Sequence, residues 1–257
     1  MITLTSDFGL KDPYVAEMKG VILSINSKTM IVDITHDIEK FDIRTGAFIL
    51  ASVAPYFPKG TVHIVVVDPG VGTNRRPILV ESKQGFFVGP DNGVLMLAAQ
   101  KLGSEHIFEL NNPKFMLPKI SSTFHGRDVF APAATYLDVG VKPSEFGPEI
   151  NNAINPEFVK VEKTNGSFIG EVLYIDGFGN IITNISQKEF AETKAVKVKL
   201  PNISITLSLK KTYAEAKSQE PIALFGSHGF LEIALDQDNV AEKFHVTAGD
   251  KIQVTYV

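Results

Sequence analysis

The chain has 257 residues, enough for one large domain or two modest ones with a substantial core. Hydrophobic residues make up 44% and charged residues 21%, and 25 Lys+Arg against 29 Asp+Glu leave a net charge of −4, so no basic footprint for nucleic acid is present. The absence of cysteine excludes disulfides, thiolate catalysis and zinc–thiolate sites and fits a reducing cytoplasm, while no apolar run reaches membrane-span length and "MITLTSDFG" is no signal peptide.

From the N-terminus, residues 2–5 form a short strand. Pro13 opens a helix on which Val15, Met18, Ile22 and Ile25 recur at helical spacing. "MIVDIT" (30–35) is the second strand. "IRTGAFILASVAPYF" (43–57) is a helix with Ile43, Ala47, Leu50, Ala51 and Ala54 on one stripe, and "TVHIVVVD" (61–68) is the third strand. This β-α-β-α-β order predicts a parallel sheet with helices on its faces. "PILVES" and "FFVGP" follow as a hairpin through Lys83-Gln84-Gly85. Asp91 is placed to cap a helix over "NGVLMLAAQKLG", and "DVFAPAATYLDVG" (128–140) is a later helix with an internal proline. The Asn- and Pro-rich "PEINNAINPEF" (148–158) reads as a linker. Beyond it, seven short β-type runs from "FIGEVLYID" to "KIQVTYV" predict a small barrel or sandwich. The expected fold is an α/β domain with a mostly parallel sheet (1–150), a linker (151–159) and an all-β, barrel-like domain (160–257).

Open parallel sheets bind ligands beyond the carboxyl ends of their strands. Asp7 ends the first strand, Asp33, His36 and Asp37 cluster at the second, and Asp68 ends the third. One aspartate after a strand ordinarily caps a turn; three along one edge point to a site. "DPGVGT" is a tight glycine loop, but it matches neither a dinucleotide fingerprint nor a Walker loop. "STFHGRDVFAP" (122–132) puts His125 at the foot of a helix. If Asp68, Arg75 and His125 meet in space, the carboxylate orients the histidine and the arginine stabilises an anion. "YIDGFGNIITNI" (174–185) has two readings. One is a hairpin turn with a buried Phe178. The other is a purine platform, with Phe178 stacking, Asn180 on the base edge and Asp176 pairing an ammonium. "FGSHGFLEIAL" (225–235) places Ser227, His228 and Gly229 in a turn and Glu232 in a strand. No EF-hand-like spacing or His-Glu-x-x-His occurs, so a catalytic metal is not expected.

Together and in this order, "TSDFG", "DPGVGTNRR", "FHGRD", "IDGFGNIITNI" and "GSHGFLEIA" resemble the S-adenosylmethionine hydroxide adenosyltransferases. The resemblance covers essentially the whole chain, and that family shares its fold with fluorinating and chlorinating enzymes. It implies attack of water or hydroxide on C5′ of S-adenosylmethionine, releasing adenosine and L-methionine without a cofactor. It implies a homotrimer, with each substrate between the N-terminal domain of one subunit and the C-terminal domain of its neighbour. Carried over residue by residue, Asp68, Arg75 and His125 hold and activate the water and Asp7 binds the ribose hydroxyls. Asp176 and Ser227 hold the methionine ammonium, and Phe178 and Asn180 form the adenine pocket. His228 falls where the halogenating members have an arginine and receives no role, and neither does His36.

Two departures bear on the nucleophile. The halogenating members align a tyrosine with Asp68 and Tyr-Ser with His125-Gly126. A carboxylate beside a halide repels it by about 4 kcal/mol at a separation of roughly 4 Å and an effective dielectric near 20, which favours hydroxide. The alternatives are a halide-using adenosyltransferase, a binding protein without turnover, and a metal-dependent nucleoside hydrolase. The last needs a cluster of aspartates after the first strand, where "TSDFGLKDP" offers Asp7 and Asp12 alone. A methyltransferase lacks the glycine fingerprint.

Overall fold

A computed structural model describes residues 1–164, 166–190, 193–217 and 219–257. The chain divides into two units, Met1–Asn155 and Pro156–Val257.

The first unit runs β1 (Ile2–Ser6), α1 (Tyr14–Ile25), β2 (Ile31–Thr35), α2 (Ile43–Val53), β3 (Thr61–Val66), β4 (Pro77–Ser82), β5 (Gly85–Pro90), α3 (Met96–Leu102), β6 (Ser104–Glu109) and α4 (Ala131–Asp138). The sheet order is β2-β1-β3-β5-β4-β6. The β1–β2, β1–β3 and β3–β5 pairs are parallel, and β4 pairs antiparallel with β5 and β6. Ile2 and Leu4 of β1 and Val62, Ile64 and Val66 of β3 share a core cluster with Met18 and Ile22 of α1 and Leu137 of α4. Every residue of β3 is buried, as expected for a central strand covered on both faces. Asp42 caps α2, with Oδ1 accepting from Thr45 N at 3.0 Å. That helix stops at Val53, short of the expected residue 57, and Pro55 lies in the 3₁₀ turn that follows.

Asp91 does not cap a helix. It is buried and accepts from Arg76 Nε at 3.0 Å and from Ile154 N at 2.8 Å. Arg76 Nη1 also reaches Asn152 Oδ1 at 2.8 Å, so residues 152–154 are lashed to the first unit. The later helix begins as a π-helical turn, Gly126–Phe130, and becomes α-helical at Ala131. β6 was not anticipated; its three leading residues are exposed and lack an apolar alternation.

The second unit is antiparallel: β7 (Glu162–Thr164), β8 (Ser167–Ile175), β9 (Ile181–Ser186), β10 (Ala195–Leu200), β11 (Ile203–Ser208), β12 (Pro221–Phe225), β13 (Phe230–Leu235), α5 (Val240–Phe244) and β14 (Lys251–Tyr256). The path is β11-β10-β14-β8-β9-β13-β12, with β7 on β8. A bridge from Leu209 to Ala223 brings the two ends of the path together, giving a nearly closed barrel. Phe168, Val172, Ile181, Val198, Leu231, Ile233 and Val254 fill its core.

Candidate active site

Strands β1, β2 and β3 end side by side. Asp7 follows β1 directly and is 5% exposed. Its Oδ2 accepts from Phe41 N at 2.9 Å, and Lys40 Nζ donates to its carbonyl. Phe41 makes this contact at φ 67°, a left-handed backbone rare for an aromatic residue. Asp68 lies just past the end of β3. The loop after it turns tightly, Val71 N bonding the Asp68 carbonyl at 3.3 Å and Thr73 N the Gly70 carbonyl at 3.1 Å. Gly72 is required there: its φ is +77°, and a Cβ would stand 2.4 Å from the Ser122 carbonyl. The loop therefore packs on the segment leading to His125 and returns Arg75 to the strand end.

Asp68, Arg75 and His125 form one hydrogen-bonded chain. Arg75 Nε donates to the two Asp68 oxygens at 2.9 and 3.0 Å, and Nη2 donates to Oδ2 as well. Nη2 also donates to His125 Nδ1 at 2.9 Å. The Arg75 and Asp68 side chains are 8% and 5% exposed. A guanidinium only donates, so Nδ1 is an acceptor and the ring is neutral with its proton on Nε2. Burial, and after it the Arg75 charge, hold the His125 pKa below the ordinary histidine value, which favours this state. Arg75 Nη1 is buried and has no hydrogen-bond partner among the described residues. Asp128, wholly buried in the π-helical turn, accepts from Ser121 N and Arg127 Nε at 2.7 Å each and so braces both sides of His125. Asp7, Asp68 and His125 line one cavity of about 190 Å³ with Phe8, Lys40, Phe41, Thr123 and Phe124.

Asp33 and His36, at the same edge, are engaged elsewhere. His36 Nδ1 pairs with Ser6 Oγ at 2.7 Å, and Nε2 lies 3.2 Å from Asp33. Burial alone would raise the Asp33 pKa, but the bonds to Lys19 and His36 outweigh it and hold the carboxyl below its usual range. Among the described residues, no group of three or more His, Asp or Glu side chains is placed to hold a metal ion.

In the second unit, Asp176 organises its own turn. Oδ1 accepts from Phe178 N and Asn180 N at 2.9 Å each, and Oδ2 from Asn180 Nδ2 at 3.0 Å. Phe178 is thereby pushed out to 83% exposure, which overturns the reading of a buried phenylalanine in a plain hairpin. Asp176, Phe178 and Asn180 line a cavity of about 740 Å³ with Tyr213 and residues 235–239. Ser227 and His228 lie in the β12–β13 turn and do not line it. A further opening of about 810 Å³, lined by Gln187, Lys194, Lys210, Lys211 and Phe225 among others, holds none of the residues singled out from the sequence.

Lys40, Phe41 and Tyr213 were missed. Lys40 and Phe41 sit between His36 and the α2 cap, in the loop beyond β2, and their place at that edge was the available signal. Tyr213 had none, since its role depends on Glu232 and on the 176–180 turn, neither of them adjacent in sequence.

The match to known proteins spans both units. Residues 2–147 match the SAM hydroxide adenosyltransferase N-terminal domain, and residues 170–253 match the C-terminal domain. A Methanocaldococcus jannaschii protein named (R)-S-adenosyl-L-methionine hydrolase is 39% identical over all of this chain and 96% of its own length. A fluorinase from an Actinoplanes species is 26% identical over 99% of this chain and 97% of its own. The crystal structure of an uncharacterized conserved protein from Thermotoga maritima superposes with a TM-score of 0.87 at 36% identity, covering 99% of this chain and 100% of that one. With both domains matched and the relatives aligned end to end, the chain belongs to the SAM hydroxide adenosyltransferase family.

Proposed function

We propose that the chain hydrolyses S-adenosylmethionine, water or hydroxide attacking C5′ to give adenosine and L-methionine. The Asp68–Arg75–His125 hydrogen-bonded chain, whose ends Asp68 and His125 share a cavity with Asp7, carries this reading. The C5′–S bond breaks with its electron pair on the methionine sulfur, so a neutral thioether leaves and no acid has to protonate it. The difficulty lies in the nucleophile, because water has a pKa of about 15.7. Once the internal bonds are made, His125 Nε2–H is the donor at the cavity that steadies a developing hydroxide, and the Arg75 charge behind it holds the ring in that tautomer and adds to the field. Asp68 keeps acceptor capacity beyond its bonds to Arg75, since an ionised carboxylate offers about four lone-pair sites. It therefore orients the water and accepts its proton. Asp7 is assigned the ribose hydroxyls, Phe178 and Asn180 the adenine, and Asp176 with Ser227 the ammonium. The step requires no cofactor.

A cavity of about 190 Å³ is smaller than the roughly 300–1,000 Å³ of pockets that enclose a whole ligand. It is therefore assigned the reacting end. In this proposal the rest of the substrate lies against the C-terminal unit of a neighbouring subunit in a cytoplasmic homotrimer. The relatives' name specifies the R form, and we extend that preference to this chain. Turnover restricted to one sulfonium epimer would leave the other intact.

The test is chromatography of the purified protein with each sulfonium epimer, with and without chloride. Adenosine and methionine in equal amounts from the R epimer, without halide, is the expected result. 5′-Chloro-5′-deoxyadenosine would overturn the argument from Asp68, and bound substrate without product would replace hydrolysis by binding.

A further inference from the structure

The second unit buries a carboxylate that the proposed reaction does not use. Glu232, in β13, is 2% exposed. Tyr213 Oη donates to its Oε1 at 2.6 Å, and its Oε2 lies 3.2 Å from His228 Nε2. Phe230 N–H donates to His228 Nδ1 at 3.2 Å. Nδ1 is therefore unprotonated, and the ring proton sits on Nε2, facing the carboxylate. Both imidazole nitrogens are engaged, so the side chain is fixed in one tautomer. The fit is tight: a Cβ on Gly226 would lie 2.4 Å from His228 Nε2 and 2.6 Å from Glu232 Oε2.

Glu232 pairs with Leu224 of β12 and shares its face of β13 with the buried Ala234, a setting with no packing need for a charge, and burying one is costly. What Glu232 holds explains its presence. Burial, and then the bond to Glu232, push the Tyr213 pKa up, so its hydroxyl is a standing donor. Tyr213 lines the same cavity as Asp176, Phe178 and Asn180. His228 adjoins Ser227, the residue assigned to the methionine ammonium. One carboxylate thus ties an aromatic wall of the 740 Å³ cavity to the turn that carries Ser227.

We propose that Glu232 is a positioning residue for substrate binding, which orients Tyr213 and locks the turn at residues 226–229 before the ligand arrives. This rests on the reading that the cavity takes the nucleoside part of S-adenosylmethionine. Preorganisation of this kind acts on affinity and leaves the chemical step alone.

The test measures adenosine binding by calorimetry, steady-state kinetics with S-adenosylmethionine, and thermal melting. The proteins are wild type, Glu232→Ala, Glu232→Gln, Tyr213→Phe and the Glu232→Ala/Tyr213→Phe double variant. Glu232→Ala is expected to weaken adenosine binding and raise KM by about tenfold, with kcat within about twofold. Glu232→Gln, which keeps an acceptor for Tyr213 but turns an N–H toward His228 Nε2–H, is expected to recover part of that loss, and the double variant to be no worse than Glu232→Ala. A fall in kcat with KM and adenosine binding unchanged would overturn the proposal. So would a lower melting temperature with unchanged binding, or fully additive effects in the double variant. Glu232→Gln and Tyr213→Phe keep the packing volume and decide the matter should Glu232→Ala fail to fold. Wild-type protein that binds adenosine but releases none from S-adenosylmethionine would remove the hydrolase reading while binding still tests Glu232. Wild-type protein that binds neither would overturn both.

Discussion

Arg75 neutralises a buried carboxylate and also sets a histidine tautomer, and the two jobs have different geometric demands. The charge alone answers the first; the second needs a guanidinium that reaches Asp68 and His125 Nδ1 together. Arg75→Lys keeps the charge and loses the fork. It is expected to stay folded and to lower kcat by about 10²-fold, the scale of losing one preorganised donor, as read from adenosine formation beside a thermal melt. The same contact gives a signed pH dependence. Activity requires neutral His125, and burial and Arg75 hold its pKa below the ordinary value. Rising pH therefore keeps the ring neutral, and falling pH protonates it. The profile of kcat/KM is expected to be flat through neutrality and to drop only on the acid side of the usual histidine range. Activity that instead falls as pH rises through the lowered His125 pKa would show that the imidazolium is the working form.

The loop between β3 and β4 is what makes those contacts possible. Gly72→Ala would place a methyl 2.4 Å from the Ser122 carbonyl at a positive φ. The change is expected to cost at least about 1 kcal/mol in urea unfolding and to reduce kcat far more than it reduces stability, because it displaces Arg75 from His125. Strand β3 carries a different pH liability. His63 is buried, bonds Thr3 Oγ1 at 2.8 Å and stacks on Phe87, and burial pushes its pKa down to about 4. Below the unfolded value of 6.5 the unfolded chain takes up a proton that the native chain refuses. Stability therefore falls as pH drops from 6.5 through about 4, by about 3 kcal/mol in total. Urea melts at pH 7 and pH 4 are expected to show this loss, and His63→Leu to reduce it.

The assembly proposed above can be tested without locating its interfaces. Light scattering is expected to give three copies of the 28.1 kDa chain. If each site draws on two subunits, co-refolding Arg75→Lys chains with Phe178→Ala chains should restore activity to about one site in four, the fraction left intact by random mixing in a closed ring. No recovery, or a monomer with full activity, would place the whole site on one subunit.

The sequence alone determined the element types and the set of chemical groups. The β-α-β-α-β order, with a continuous apolar β3 and stripes on α1 and α2, requires a parallel sheet covered on both faces. Asp7 and Asp68 could be placed at its edge because a strand end is a local property. The family could be read from five short motifs because each is a contiguous run. Tertiary structure decided the pairings between distant residues. Arg75 meets His125 across fifty positions, and Asp91 serves Arg76 and Ile154, where local rules expected a helix cap. Phe178 points outward because Asp176 spends its oxygens on that turn, and Glu232 of β13 reaches Tyr213 in the 3₁₀ turn after β11. Propensity and periodicity act over a few residues of chain, whereas a buried charge is satisfied by whichever donor the fold brings within about 3 Å.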